Sequence, residues 1–129
     1  MLEGDTAETV AARESFLKQA TPLASLPDDL LRLTAEALRA RDFAPGELIV
    51  REGEPGRALY VLARGAAEVR VRTESGGTAT VVRMGRGECF GEMSLLGGDD
   101  ASADVVASEG TSCLVLERET FEDLVREQP

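Results

Sequence analysis

Histidine and tryptophan are absent from this chain of 129 residues, and lysine occurs once, at Lys18. The lack of histidine removes the commonest general base and the commonest metal ligand together. Cysteine is nearly absent as well. Cys89 and Cys113 lie far apart in apolar, strand-like stretches, and a zinc site would need further Cys or His partners at short spacing. Two buried thiols are expected instead, and no metal site. Aromatic residues make up 4% of a chain that is 43% hydrophobic, so its core must be aliphatic. No apolar run is long enough to cross a bilayer. The start, Met1-Leu2-Glu3-Gly4-Asp5, is acidic, the opposite of a secretory or mitochondrial leader, so the cytoplasm is the expected compartment.

Positive charge is also scarce. Against 24 acidic residues stand 14 cationic ones, for a net charge of -10. Nucleic-acid binding draws on cations set against phosphates, and docking on anionic lipid draws on the same resource. Neither partner is expected. The cations are almost all arginine, so an anion site here would use guanidinium groups. An enzyme is not expected either: no Ser-X-X-Lys, metal cluster or partnered carboxylate pair is present, and Ser94 beside Glu92 has no base to activate it.

What is present changes character once along the chain. From Thr6 to Ala20 the sequence reads as a helix with a sparse apolar stripe of Val10, Phe16 and Leu17, ended by Pro22. A second helix begins near Pro27, with Asp28 and Asp29 at the positive end of its dipole. Leu30, Leu31, Leu33, Ala37 and Leu38 keep helical spacing, which predicts a helix to about Arg41, closed by Pro45-Gly46. Beyond Gly46, short segments of period two recur between glycines: Leu48 to Val50, Leu59 to Leu62, Glu68 to Arg72, Thr78 to Met84, Asp104 to Ala107 and Ser112 to Glu117. Ser75-Gly76-Gly77 reads as a hairpin turn. Many short strands at close spacing predict a rolled antiparallel sheet rather than βαβ units. A last helix is predicted from Glu119 to Glu127, with Thr120, Phe121, Leu124 and Val125 on its buried side.

One stretch carries chemistry: Gly87-Glu88-Cys89-Phe90-Gly91-Glu92-Met93-Ser94-Leu95-Leu96-Gly97-Gly98. A glycine-framed turn here opens a short apolar helical piece, whose unsatisfied backbone N–H groups make a small anion site. Glu92 sits at its mouth. A carboxylate suits a sugar hydroxyl and repels a phosphate, so the pairing points to a ligand carrying both. An ordinary strand-to-helix connection has the same outline, and Glu92 could equally cap its own turn or pair with a neighbouring arginine.

The setting narrows this. Phe43-Ala44-Pro45-Gly46-Glu47-Leu48-Ile49-Val50-Arg51-Glu52-Gly53-Glu54-Pro55-Gly56, then Leu59-Tyr60-Val61-Leu62 and Gly65, then Phe90-Gly91-Glu92, resembles the cyclic-nucleotide-binding domain family of the catabolite-activator and protein-kinase-A-regulatory type. Pro22-Leu23, Leu26-Pro27 and the leucine-rich helix resemble that domain's helical lead-in. The similarity runs over roughly residues 15 to 128. It implies one α+β domain over residues 1–129: N-terminal helices at about 6–41, an eight-stranded antiparallel, jelly-roll-like β-roll at about 44–117, a short cassette helix, and a C-terminal helix at about 119–127. It also implies roles. The residue matching Glu92 holds the ribose 2′-hydroxyl, and the amides matching Gly91, Met93 and Ser94 face the sugar and the cyclic phosphate. An arginine further along pairs with the phosphate, and the next small or hydroxylated residue, here Ser102, adds a contact.

That arginine is missing. In register with Phe90-Gly91-Glu92, Asp100-Ala101-Ser102-Ala103-Asp104-Val105 stands where the family usually has Pro-Arg-Ala-Ala-Thr-Val or a near variant. Ala101 occupies the arginine's place, and Asp99 and Asp100 add negative charge beside it. No arginine lies between Arg86 and Arg118, so Arg86 is the one candidate surrogate; otherwise Arg83 and Arg86 coat the solvent face of a strand and turn. Family members also continue past the position of Gln128-Pro129 into a helix that covers the base, so output is expected from further sequence or a partner. Two functions stay open. One is a regulatory sensor with weak or altered specificity for cyclic AMP, cyclic GMP or a nucleoside. The other is a protein-interaction module on the same fold with no nucleotide. No cofactor is expected, and the expected partner is a second protein or a second copy of the chain.

Overall fold

In the computed structural model, which describes residues 7–55, 58–91 and 100–127, helices open the chain. α1 spans Ala7–Ala20 and α2 spans Asp28–Ala37, joined by a 3-10 turn at Pro22–Ser25. Thr21 ties the joint. Its hydroxyl donates to the Leu17 carbonyl at 2.8 Å and accepts from the Leu23 amide at 3.1 Å, satisfying a donor left open at the turn's start. Asp28 and Asp29 occupy the first turn of α2, where the helix dipole favours anions.

α2 stops short of the helix predicted through Arg41. Leu38 is already extended, with φ -68° and ψ 143°, and Arg39–Phe43 forms β1. β1 pairs antiparallel with β8 (Thr111–Glu117), Arg39 opposite Val115 and Phe43 opposite Thr111. It is an edge strand whose first four residues are exposed, so no apolar alternation marks it. Leu38 is fully buried, which helix and strand satisfy equally. Partnership with β8 decides this segment, not local pattern.

The other strands are β2 (Leu48–Val50), β3 (Ala58–Arg64), β4 (Ala67–Arg72), β5 (Thr78–Met84), β6 (Cys89–Phe90) and β7 (Asp104–Ala107). The unpredicted β6 has 2 residues, too few to show a period. Two four-stranded antiparallel sheets, in the orders β1-β8-β3-β6 and β2-β7-β4-β5, make the eight-stranded β-roll. The β4–β5 hairpin turns where Ser75-Gly76-Gly77 predicts it, with Gly76 at φ 90°. The Thr73 hydroxyl oxygen fastens this turn by accepting from the Gly77 amide at 3.1 Å.

β3 and β8 carry the core on both faces. Ala58, Leu62, Cys113 and Val115 point into the roll, joined by Phe43, Ala67, Met84, Phe90, Val105 and Ala107. Leu59, Val61, Leu114 and Leu116 point the other way, onto Leu17, Leu31, Ala35 and Leu38 of the helical side. Burial on both sides explains why Cys113-Leu114-Val115-Leu116 reads as a continuous apolar run. Cys113 is fully buried as expected, whereas Cys89 is half-buried.

α3 (Arg118–Glu127) packs on α2 and β8. Phe121 and Leu124 reach the helix-side cluster, but Val125, predicted to be buried, is 52% exposed. One residue past Leu124, it is rotated off the contact face. The predicted cassette helix falls on residues 92–99, outside the described residues. Among the described residues no helix is long and apolar enough to cross a membrane.

Candidate functional site

The roll is not filled to its end. A cavity of about 490 Å³ opens between the two sheets. Ile49, Tyr60, Val69, Met84 and Val105 form its apolar wall from strand positions, and Val82, though 46% exposed, adds to it. Its rim is polar and comes from two loops. Arg51, Glu54 and Pro55 follow β2; Asp100, Ala101 and Ser102 precede β7. Phe90 and Gly91, at the end of β6, close a third side.

Each side is held by identifiable bonds. Phe90 stacks on Tyr60, with ring centroids 5.0 Å apart and planes 8° from parallel. Burial pushes the Tyr60 phenol up from its usual pKa, so the ring stays neutral in the wall. Gly91 follows at φ 91°, and a Cβ there would stand 2.5 Å from the Ala58 carbonyl oxygen. Only glycine brings β6 this close to β3.

The two rim loops are stitched together by backbone. Gly53 donates to the Ala101 carbonyl at 2.8 Å, and Ala101 donates to the Glu54 carbonyl at 2.9 Å. Pro55 bridges Asp100, and the Asp104 carboxylate accepts from the Glu52 amide at 2.7 Å. Ala101 is therefore fixed in place, presenting a methyl group to the cavity. Beside it lie two carboxylates, Asp100 and Glu54. Among the described lining residues Arg51 is the one cation, and its Nε is 3.8 Å from Glu54 Oε2.

Of the residues singled out from sequence, Gly91, Ala101 and Ser102 meet at this cavity. Glu92, Met93 and Ser94 lie outside the described residues, as does Asp99. Arg86 is elsewhere. Its guanidinium carbon sits 4.5 Å from the centroid of the Phe16 ring on α1, and it does not line the cavity. The turn carrying Arg86 faces the helical side, and the cation is engaged there. Sequence reasoning missed Arg51, Glu54 and Tyr60 as cavity residues. Alternation places Tyr60 on an inward face, but nothing local shows that this face borders open space.

The cavity thus sets an apolar wall against a polar rim, the arrangement usual in small-molecule sites. Among the described residues no three His, Cys, Asp or Glu side chains are grouped to hold a metal ion.

Comparison with known proteins agrees with this architecture. The human cGMP-dependent protein kinase 2 is 35% identical over 113 residues, 86% of this chain and 15% of the kinase. The chain thus spans less than a sixth of that relative. Among solved structures, the regulatory domain of Toxoplasma gondii protein kinase A with cAMP superposes with a TM-score of 0.83 at 28% identity, over 92% of this chain and 46% of that one. The regulatory subunit of a cAMP-independent protein kinase A from Trypanosoma cruzi, bound to guanosine, gives 0.81 at 30% identity, over 92% and 43%. The family model of the cyclic nucleotide-binding domain matches residues 40–128, and the chain belongs to that family.

Proposed function

We propose that this domain is a regulatory sensor of altered specificity, whose cavity takes a neutral purine nucleoside in preference to a cyclic nucleotide. The observation that carries this reading is the rim. Backbone bonds on both sides hold Ala101 where the resemblance expects the phosphate-pairing arginine, and Asp100 and Glu54 lie next to it. A cyclic phosphate brought there meets a methyl group and two carboxylates. The missing charge-assisted hydrogen bond is worth about 1.5–3 kcal/mol, or roughly tenfold to a hundredfold in affinity. A nucleoside has no such requirement. The guanosine-bound neighbour from Trypanosoma cruzi supports the same choice of ligand.

In this reading the base lies against Ile49, Val69 and Val82, while Glu92 accepts from the ribose. The amides of Gly91, Met93 and Ser94 face the sugar edge, and Ser102 adds a neutral hydrogen bond. Occupancy shifts the helices that flank the roll, and a protein partner or a second copy of the chain reads the shift.

Calorimetric titration with adenosine, guanosine, cyclic AMP and cyclic GMP tests the proposal. The expected result is nucleoside binding, with the matching cyclic nucleotide at least about tenfold weaker. Tighter binding of a cyclic nucleotide would overturn it. Silence from all four ligands would favour the interaction module with no nucleotide.

A further inference from the structure

The cavity rim holds an ion pair that the expected cassette chemistry does not use. Arg51 and Glu54 both line the cavity, on the loop that follows β2. Their closest charged atoms are 3.8 Å apart, and their side chains are 62% and 63% exposed. Among the described residues neither side chain has another partner. A pair this long and this exposed contributes little to folding, so it is free to exchange its internal contact for a ligand.

Its position is nevertheless well defined. The Glu54 carbonyl accepts from Ala101, Gly53 donates back to Ala101, and the Glu52 amide donates to Asp104. The loop is therefore pinned beside the residue that replaces the phosphate-pairing arginine. In a cyclic nucleotide the phosphate bridges the 3′ and 5′ oxygens, so both hydroxyls of a bound nucleoside come to this corner, the 5′ one on a rotatable methylene that reaches further from the ring.

Hydrogen-bond chemistry then distinguishes the two ligand types. A hydroxyl both donates and accepts, which matches a guanidinium beside a carboxylate. A cyclic phosphodiester accepts only and is negatively charged, so Arg51 attracts it while Glu54 and Asp100 repel it. We infer that Arg51 and Glu54 form a donor–acceptor clamp that reads the 5′-hydroxyl of a nucleoside, making them specificity-determining residues of the site. This rests on the nucleoside reading above.

The test uses the full chain, titrated with adenosine, 5′-deoxyadenosine, 3′-deoxyadenosine and cyclic AMP, and with the corresponding guanosine series. Wild-type protein should bind the 5′-deoxy compound roughly threefold to tenfold more weakly than its parent. In Arg51→Gln and Glu54→Gln that difference should shrink to within about twofold. Glu54→Gln should also strengthen cyclic AMP relative to adenosine, because it removes a repelling charge. Both positions are exposed, and unchanged unfolding midpoints confirm that the variants fold. Equal affinity for parent and 5′-deoxy compound in wild type overturns the clamp and leaves the nucleoside reading intact. So does a penalty that falls on the 3′-deoxy compound alone, or one that persists undiminished in both variants. If neither nucleoside binds, the nucleoside reading itself fails and the clamp with it.

Discussion

A methyl group at position 91 would stand 2.5 Å from the Ala58 carbonyl oxygen, on a backbone at φ 91°. Both conditions oppose any side chain, and a strained left-handed residue alone costs of order 1–3 kcal/mol. Gly91→Ala should lower the urea unfolding midpoint accordingly, and nucleoside binding should weaken with it, because β6 must move away from β3. Ala101 presents the opposite case. It is held at the rim with room in front of it, so Ala101→Arg combined with Asp99→Asn and Asp100→Asn should raise affinity for cyclic AMP about tenfold or more. Calorimetry on that variant reads the gain, and an unchanged affinity would mean that the cavity rejects cyclic AMP for another reason. Cys113 sets a pH limit. Burial pushes its thiol from 9.0 up to about 11, partly opposed by Arg41. The native state thus holds this proton more tightly than the unfolded chain. Its stabilising contribution is complete below about pH 9 and is lost as pH rises towards about 11. Tyr60, also raised by burial, acts in the same direction. Urea unfolding should therefore show stability falling from about pH 9 to about pH 11, with a shallower fall in Cys113→Ala.

At the scale of elements, α1 is the least self-sufficient helix. Its apolar stripe is sparse, and it depends on a few anchors: fully buried Leu17, the Arg13 guanidinium donating to the Leu38 carbonyl at 2.8 Å, and Arg86 over Phe16. A cation on an aromatic face at a partly exposed site contributes about 0.5–1 kcal/mol. Arg86→Ala should speed hydrogen exchange throughout α1 while leaving that of β3 and β8 unchanged. Protection of α1 at the wild-type level would show that the remaining anchors, Leu17 and Arg13, hold the helix without Arg86. Arg86 belongs to the turn that leads directly into β6, so the same contact joins the helical side to the strand that bears Phe90 and precedes Gly91. Elements also differ in how legible they are. β4 announces itself through Glu68-Val69-Arg70-Val71-Arg72, one face wet and one dry. β1 does not, because an edge strand exposed on nearly every residue carries no alternation, and the leucines before it extend the helical pattern past its true end.

For the molecule as a whole, net charge is the governing quantity. The chain carries -10, and the ion pairs resolved among its described residues are mostly solvent-exposed, so self-repulsion is only partly compensated. Raising salt from about 0.01 M to about 0.15 M shortens the screening length from about 30 Å to about 8 Å. The melting temperature followed by circular dichroism should rise over that interval. A fall would mean that local ion pairs outweigh the general repulsion. The same scale relates cavity and helices: β3 and β8 turn alternate side chains to the roll interior and to α1 and α2, so the two clusters share one pair of strands.

Local grammar alone determined much of this protein. Period-two segments between glycines specify most of the strands, the Ser75-Gly76-Gly77 turn specifies a hairpin, and Phe90-Gly91-Glu92 with the motifs before it specifies the family. The absence of an arginine between Arg86 and Arg118 was equally plain. Other features were settled only by tertiary structure. Arg39–Phe43 became a strand because β8 had a free edge to pair. Val125 faced solvent because α3 lies on α2 through Phe121 and Leu124. Arg86 went to Phe16, and Arg51 with Glu54 came to the cavity, because tertiary packing sets which residues meet across about 50 to 70 positions of chain. Periodicity shows which way a side chain points; what it meets there depends on elements distant in sequence.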